Sequence, residues 1–370
     1  MLKPFDRQLQ YCAYCPKLCR CACPVSNAEA RETIIPQQKM QFLHLLHRGQ
    51  LSWHHDFTQV LYACAACRAC TSYCKHPVDV GPALLAGRAA AVAAGAGHPS
   101  LEDFDFTFRY RLPKLREAAR AQLPKARFSD EAEGAIYPGC EAIATAPGDV
   151  LRTLAVLDRL GADYLRLFDG DELCAGYPLW AAGYSDAFRA HAERVARAFR
   201  RYRKIVCGCP ACVHVLRRRY AEVGVRLETE IVDLTEFLEG FIGLIPVMQQ
   251  VPELFFHDPC YLGRFLGNFD GPRRVLDALT PRRYEFSWNR GDSACCGGGG
   301  VLPRTAPLTA AAMAEARLSE VVEAGVSLLA TACPTCKRRL GEAAARLHAR
   351  DGGTAIEVLG LIDVLDRATS

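Results

Sequence analysis

From residue 254 onward, short apolar runs alternate with longer stretches in which apolar positions return every three or four residues. Leu254-Phe255-Phe256-His257 and residues 284–288, 327–330 and 356–359 read as strands, and 273–279, 308–324 and 338–350 as helices. An earlier stretch carries the same rhythm, with strands expected at 135–137, 164–168 and 204–206. Residues 98–133 are charged and interrupted by Pro113 and Pro124, which predicts a connector with one helix over 115–121. Before it, residues 1–97 hold short helical patterns and close with an alanine-rich helix over 83–94.

The alternation predicts an α/β fold, α+β for the whole chain, with parallel sheets whose strands end on one common edge. Each expected strand except the last runs toward a cysteine, and the cysteines of the two copies match at an offset of about 120 residues. The distances are 120 residues from Cys140 to Cys260, 121 from Cys174 to Cys295, and 124 both from Cys209 to Cys333 and from Cys212 to Cys336. The expected organisation is therefore a helical ferredoxin-like domain (1–97), a connector (98–133), and two Rossmann-like copies of one ancestor (134–248 and 249–370).

Composition narrows the chemistry. In 370 residues, 45 Lys and Arg stand against 41 Asp and Glu, and a net charge of +4 gives no basis for a nucleic-acid partner. The basic runs at 200–204 and 217–219 read as solvated helix faces. No apolar stretch has the roughly 18 residues of a membrane span, and the N-terminus MLKPFDRQLQ lacks an apolar signal core, so a cytoplasmic protein without a transmembrane segment of its own is expected. The outlier is 19 cysteines, an odd number without a secretion signal, which argues against a disulfide framework and for metal.

Cys64-x2-Cys67-x2-Cys70-x3-Cys74 has the spacing of bacterial ferredoxins, in which three thiolates of a tight loop bind one cluster and the fourth cysteine binds a second. Zinc ribbons separate their cysteine pairs by longer intervals. The partner motif is Cys12-x2-Cys15-x3-Cys19-x3-Cys23-Pro24, one residue too long in its middle gap, with Cys21 unassigned. Ligand exchange predicts one cubane on Cys12, Cys15, Cys19 and Cys74 and another on Cys64, Cys67, Cys70 and Cys23. A radical S-adenosylmethionine motif is excluded because its third cysteine position holds Ala22.

The later cysteines surround the segment ACCGGGG, residues 294–300. Its glycines allow close backbone approach and positive φ. A phosphate loop is disfavoured, since the lysine and Ser/Thr of a P-loop are missing and the last glycine of GxGxxG is replaced by Leu302 or Pro303. Cys260, Cys295, Cys296, Cys333 and Cys336 are the candidate ligands, delivered by successive strand ends.

Cys260-x34-Cys295-Cys296-x36-Cys333-x2-Cys336 resembles the cysteine-rich CCG domain found in the B subunit of heterodisulfide reductase and its relatives. The forms His257-Asp258-Pro259-Cys260-Tyr261-Leu262-Gly263-Arg264 and Ala332-Cys333-Pro334-Thr335-Cys336 are similar to those of the D subunit of heterodisulfide reductase and of the K subunit of the sulfite-reductase-linked membrane complex. The anaerobic glycerol-3-phosphate dehydrogenase C subunit and the glycolate oxidase iron-sulfur subunit share the layout. The resemblance implies a noncubane [4Fe-4S] cluster on the five cysteines, with Cys295 and Cys296 as catalytic thiolates. The earlier copy departs from the pattern, with Ala175 in place of the second thiol; Cys140, Cys174, Cys209 and Cys212 remain as candidate ligands of a further iron-sulfur cluster, and Cys207 as a substitute.

His257 is a candidate proton donor to a reduced sulfur. His44, His47, His54 and His55 read as surface or packing groups, His76 as a group able to tune a cluster, and Trp53, Trp180 and Trp288 as core aromatics. The function expected is that of an iron-sulfur oxidoreductase subunit that relays electrons through two cubanes to a CCG-type site reducing a disulfide or related sulfur substrate. The alternative is a non-catalytic relay between a flavoprotein dehydrogenase and a quinone-linked partner. No flavin or nicotinamide fingerprint is present, so the resemblance implies a flavoprotein or other electron-donor subunit and a membrane quinone-linked subunit as partners.

Overall fold

Among the described residues, eight short parallel strands form two four-stranded sheets. In a computed structural model, which describes every residue except Met1, Leu18, Pro77, Asp130 and Glu131, the strands are β1 (Gly134–Tyr137), β2 (Arg166–Leu167), β3 (Lys204–Cys207), β4 (Glu230–Asp233), β5 (Leu254–His257), β6 (Arg283–Glu285), β7 (Leu328–Thr331) and β8 (Glu357–Gly360). The first sheet has the order β2-β1-β3-β4 and the second β6-β5-β7-β8, the same order twice. Tyr137 pairs with Cys207 in one sheet and His257 with Thr331 in the other. Cys140 and Cys260 then follow at the same distance past their strands, and so do Cys209 and Cys333, as the duplicated spacing predicts.

The central strands β1, β5 and β7 are buried at every position, which is why they read as unbroken apolar runs rather than as alternation. Three elements differ from expectation. β4 was not expected, because Glu230-Ile231-Val232-Asp233 offers only two apolar residues; the sheet recruits it through β3. β6 stops at Glu285, where its pairing with Phe256 ends, so 286–288 are not strand. The connector forms one helix, Phe104–Gln122, running through Pro113. Phe104, Phe108, Leu112 and Ala119 recur at helical spacing and are buried, and that stripe offsets the roughly 3 kcal/mol cost of an interior proline.

Packing divides the chain into two units that do not follow its order. Met1–Asp105, Pro178–Ala187 and Trp288–Ser319 form the first; Phe106–Tyr177, Phe188–Ser287 and Glu320–Ser370 form the second and contain both sheets. The first is helical, built on Asp6–Ala13, Pro36–His47, His55–Tyr62 and Val80–Ala93. The doublet-bearing segment thus groups with the N-terminal helices. The tryptophans are not core: Trp53 and Trp180 are half-buried, and Trp288 is 41% exposed, tilted against Tyr73. Among the described residues, no helix is long and apolar enough to cross a membrane.

Phe256 is fully buried at the centre of β5. Phe256→Ala is expected to cost about 3–5 kcal/mol, read as a lowered midpoint in denaturant unfolding with the slope unchanged.

Candidate metal centres

Two cysteine cages lie in the helical unit. Cys12, Cys15, Cys19 and Cys74 line one cavity, together with Cys70, Gln37 and His76. Cys23, Cys64, Cys67 and Cys70 line the other, together with Lys39. Each cage draws three cysteines from one motif and the fourth from the other, the exchange expected from spacing. Cys70 borders both. The loop that supplies Cys64 to Cys70 is wound tightly, with Ala66 and Arg68 in the left-handed region and the Ala66 amide donating to Cys64 Sγ at 3.3 Å. Cys19 belongs to its cage despite the longer gap, in which Lys17 also takes a positive φ. Cys21 is exposed on the turn Arg20–Ala22.

The donor sets fit iron-sulfur clusters. Burial first, then neighbouring cysteines, push the Cys12 thiol up to about 12 and Cys19 to about 11. Burial also drives Cys70 well above its ordinary value, with Cys23, Cys67, Cys64 and Cys19 adding to it. Thiols gathered this closely cannot all ionise unless a cation sits among them, and metal ligation supplies that charge. Gln37 lines the first cavity with Oε1 buried and unpartnered, while its Nε2 donates to Gln41 Oε1 at 3.3 Å.

The glycine segment lies in the same unit. Gly297 and Gly300 have φ of +79° and +61°. A Cβ on Gly300 would stand 2.3 Å from the Cys64 carbonyl oxygen, and one on Gly297 2.6 Å from that of Ala310. The tract is therefore glycine because its backbone lies directly against the Cys64-Ala65 loop of the second cage. Arg88, fully buried in the helix Val80–Ala93, holds this junction. Its guanidinium donates to the carbonyls of Leu61, Cys64, Ala181 and Gly300 at 2.7–3.0 Å. The Gly297 amide points at Cys295 Sγ, 3.4 Å away.

In the sheet-containing unit, the earlier copy keeps its four cysteines together. Cys140 and Cys174 share a side-chain hydrogen bond, and Cys212 is influenced by Cys209, Cys140 and Cys174. Ala175, where the second thiol is missing, is buried, and its carbonyl accepts from Tyr220 Oη at 2.9 Å. Tyr137 takes the register position of His257 and lies near Cys212, Cys174 and Cys140. Cys207 takes the position of Thr331; it faces Asp233 and Cys209 from inside the sheet. One contact was not foreseen. Cys209 is hydrogen-bonded to Cys212 and also to Cys333, so the two copies meet through their cysteines. These bonds from Cys212 and then Cys333 hold Cys209 well below its ordinary value. His214 of the earlier copy packs tilted on Tyr261 and edge-on to Phe265 of the later one, and these two stack on each other along the π-helical turn Tyr261–Phe265 that follows Cys260. A cavity of about 80 Å³ opens beside Cys333, lined by Thr331, Lys337, Asp149 and Asp233 among others.

The CCG cysteine-rich domain family matches residues 135–217 and again 254–341, and a 4Fe-4S dicluster domain matches residues 8–78. The chain belongs to the CCG-domain iron-sulfur proteins. The D subunit of dihydromethanophenazine:CoB--CoM heterodisulfide reductase from Methanosarcina barkeri is 26% identical over 307 residues, which is 78% of this chain and 74% of the relative. The B subunit of fumarate reductase (CoM/CoB) from Methanothermobacter marburgensis is 26% identical over 318 residues, 84% of this chain and 62% of that protein.

Within the second CCG copy, the structure gives a role to a motif residue that the sequence left without one. Asp258 and the Arg273 guanidinium form a buried two-pronged pair at 2.7 and 2.9 Å, and Arg273 reaches Glu285 of β6 with two more bonds. The pair fixes the backbone just ahead of Cys260. His257, buried at the end of β5, accepts a bond from Thr331 Oγ1 at its carbonyl. The other functional groups missed by sequence reasoning, Lys39 and Arg88, share one signal: a cation inside an otherwise apolar helix face. His54 and His55 are exposed, and His76 stacks on Tyr11 at the surface.

Breaking a buried pair strands one charge. Arg273→Leu should therefore destabilise the protein by about 3–5 kcal/mol, whereas the double variant Arg273→Leu with Asp258→Leu should recover part of the loss, measured by chemical denaturation.

Proposed function

We propose that this chain is the iron-sulfur subunit of an oxidoreductase, relaying electrons through two cubane clusters to a CCG-type centre that reduces a disulfide or related sulfur substrate. In this reading Cys12, Cys15, Cys19 and Cys74 hold one cubane, and Cys23, Cys64, Cys67 and Cys70 the other. Cys260, Cys295, Cys296, Cys333 and Cys336 hold a noncubane [4Fe-4S] cluster, with Cys295, Cys296 and His257 closest to the chemistry. Clusters bound in these sets supply one-electron steps.

The observation that carries the reading is the packing of the doublet-bearing glycine tract on the Cys64-Ala65 loop, within the Cβ-excluding distance at Gly300. Electron transfer weakens steeply with distance, and here the loop of one cage and the doublet-bearing tract meet in van der Waals contact, carbonyl to glycine, pinned by Arg88. Reducing a disulfide to two thiols takes two electrons and two protons. The electrons come from a partner protein, since no nicotinamide or flavin motif is present; His257, screened from solvent, is suited to hold one of the protons. The relatives named as reductase subunits support this class. A second reading is a protein that only passes electrons between a flavoprotein and a quinone-linked partner; Ala175 supports it to the extent that a mechanism needing two equivalent CCG centres is disfavoured for this chain.

Anaerobically purified full-length protein is expected to contain about 12 irons with matching acid-labile sulfide and two cubane EPR signals. A total near 8 would remove the CCG centre and leave the relay reading, and one near 16 would add a cluster on Cys140, Cys174, Cys209 and Cys212. With artificial electron donors, Cys296→Ala should lose disulfide reduction while both cubane signals remain.

A further inference from the structure

Lys39 is a lysine in the wrong place for an ordinary lysine. It stands in the helix Pro36–His47, is 1% exposed, and directs Nζ at Cys23 Sγ, 3.6 Å away. It lines the cavity bounded by Cys23, Cys64, Cys67 and Cys70. Among the described residues no carboxylate pairs with it. The one other charged group lining that cavity, Arg68, is held by Asp79 at 2.6 Å. A buried ammonium without a counter-charge is costly, and here the nearest source of negative charge is the thiolate set itself. Cys23 responds accordingly: burial pushes its thiol up, but Lys39 and hydrogen bonds from Ser26 and Val25 bring it below its ordinary value. At Cys64 burial wins and the thiol stays above its ordinary value, with Lys39 and Arg88 opposing that rise.

The other cage is built differently. The cations on its lining, Lys75 and His76, are exposed, so water and salt screen them, and its buried polar group is the neutral amide of Gln37.

We propose that Lys39 is a positioning residue for the electron rather than for the metal: its buried positive charge raises the reduction potential of the cubane on Cys23, Cys64, Cys67 and Cys70 above that of the cubane on Cys12, Cys15, Cys19 and Cys74. Reduction adds one negative charge to a cluster, and a fixed cation within the same low-dielectric pocket stabilises the reduced form more than the oxidised one. An electron arriving at the solvent-side cage is thereby drawn to the inner one, the cage whose Cys64 loop carries the glycine tract. This polarity rests on the two-cubane reading above, which fails separately if the full chain lacks two cubane signals.

The test is an EPR-monitored redox titration of the iron-loaded full chain, with iron and sulfide counted in every variant. Lys39→Met and Lys39→Gln are expected to lower the midpoint of one cubane signal and leave the other in place, shifting its reduced-to-oxidised ratio at fixed poise by tenfold or more, about 59 mV for one electron. Lys39→Arg is expected to retain the wild-type midpoint. Unchanged midpoints in fully loaded Lys39→Met or Lys39→Gln would overturn the proposal, as would equal shifts in both signals. Loss of a cluster from both neutral variants would likewise overturn it, by assigning Lys39 to assembly.

Discussion

One buried guanidinium holds the helical unit in its working form. Among the described residues Arg88 has no carboxylate partner; its bonds go to four backbone carbonyls from segments that are far apart in the chain, at Leu61, Cys64, Ala181 and Gly300, and its guanidinium lies over the Tyr62 ring. Each carbonyl would otherwise be a buried acceptor without a donor, a cost of about 1–3 kcal/mol apiece. The planar fork of arginine meets several acceptors at fixed angles, which a lysine does not. Its consequence is chemical as well as structural: the ferredoxin-type loop and the glycine tract are kept in backbone contact, and a second positive charge is kept beside Cys64.

The cages themselves are unstable without their contents. Thiols packed so that each raises its neighbours, as around Cys12, Cys19 and Cys70, favour protonation when empty and favour a cation when one is offered. Binding and folding of the helical unit are therefore coupled. The sheets depend less on metal. Their strands are held by apolar burial, and the loop before Cys260 is fixed in advance by Asp258, Arg273 and Glu285.

Much of this was legible in the chain. Periodicity located the strands because the central ones are buried on both faces, and cysteine spacing located both cages, because thiolate chemistry ties residue type to distance along a loop. The duplicated order of the sheets followed from offsets between cysteines. What was not legible depends on partners distant in sequence. β4 exists because β3 offers it an edge, not because its own residues demand one. The helix through Pro113 follows from the burial of Phe108 and Leu112. The contact of Cys209 with Cys333 joins two copies that the sequence presents as separate, and Lys39 and Arg88 carried no sequence reading, because only the fold encloses them.

The central claim is that cysteines from distant segments gather around iron in two cages of the helical unit, with a ligand loop pinned against one of them. Anomalous diffraction at the iron edge, on crystals of the full chain grown without oxygen, tests it most directly. Within the helical unit the account predicts two compact iron peaks, one enclosed by Cys12, Cys15, Cys19 and Cys74 and the other by Cys23, Cys64, Cys67 and Cys70, in addition to the peak of the CCG centre. Peaks that appear only at the zinc edge, or iron bound with Cys23 and Cys74 outside those two sets, would contradict it.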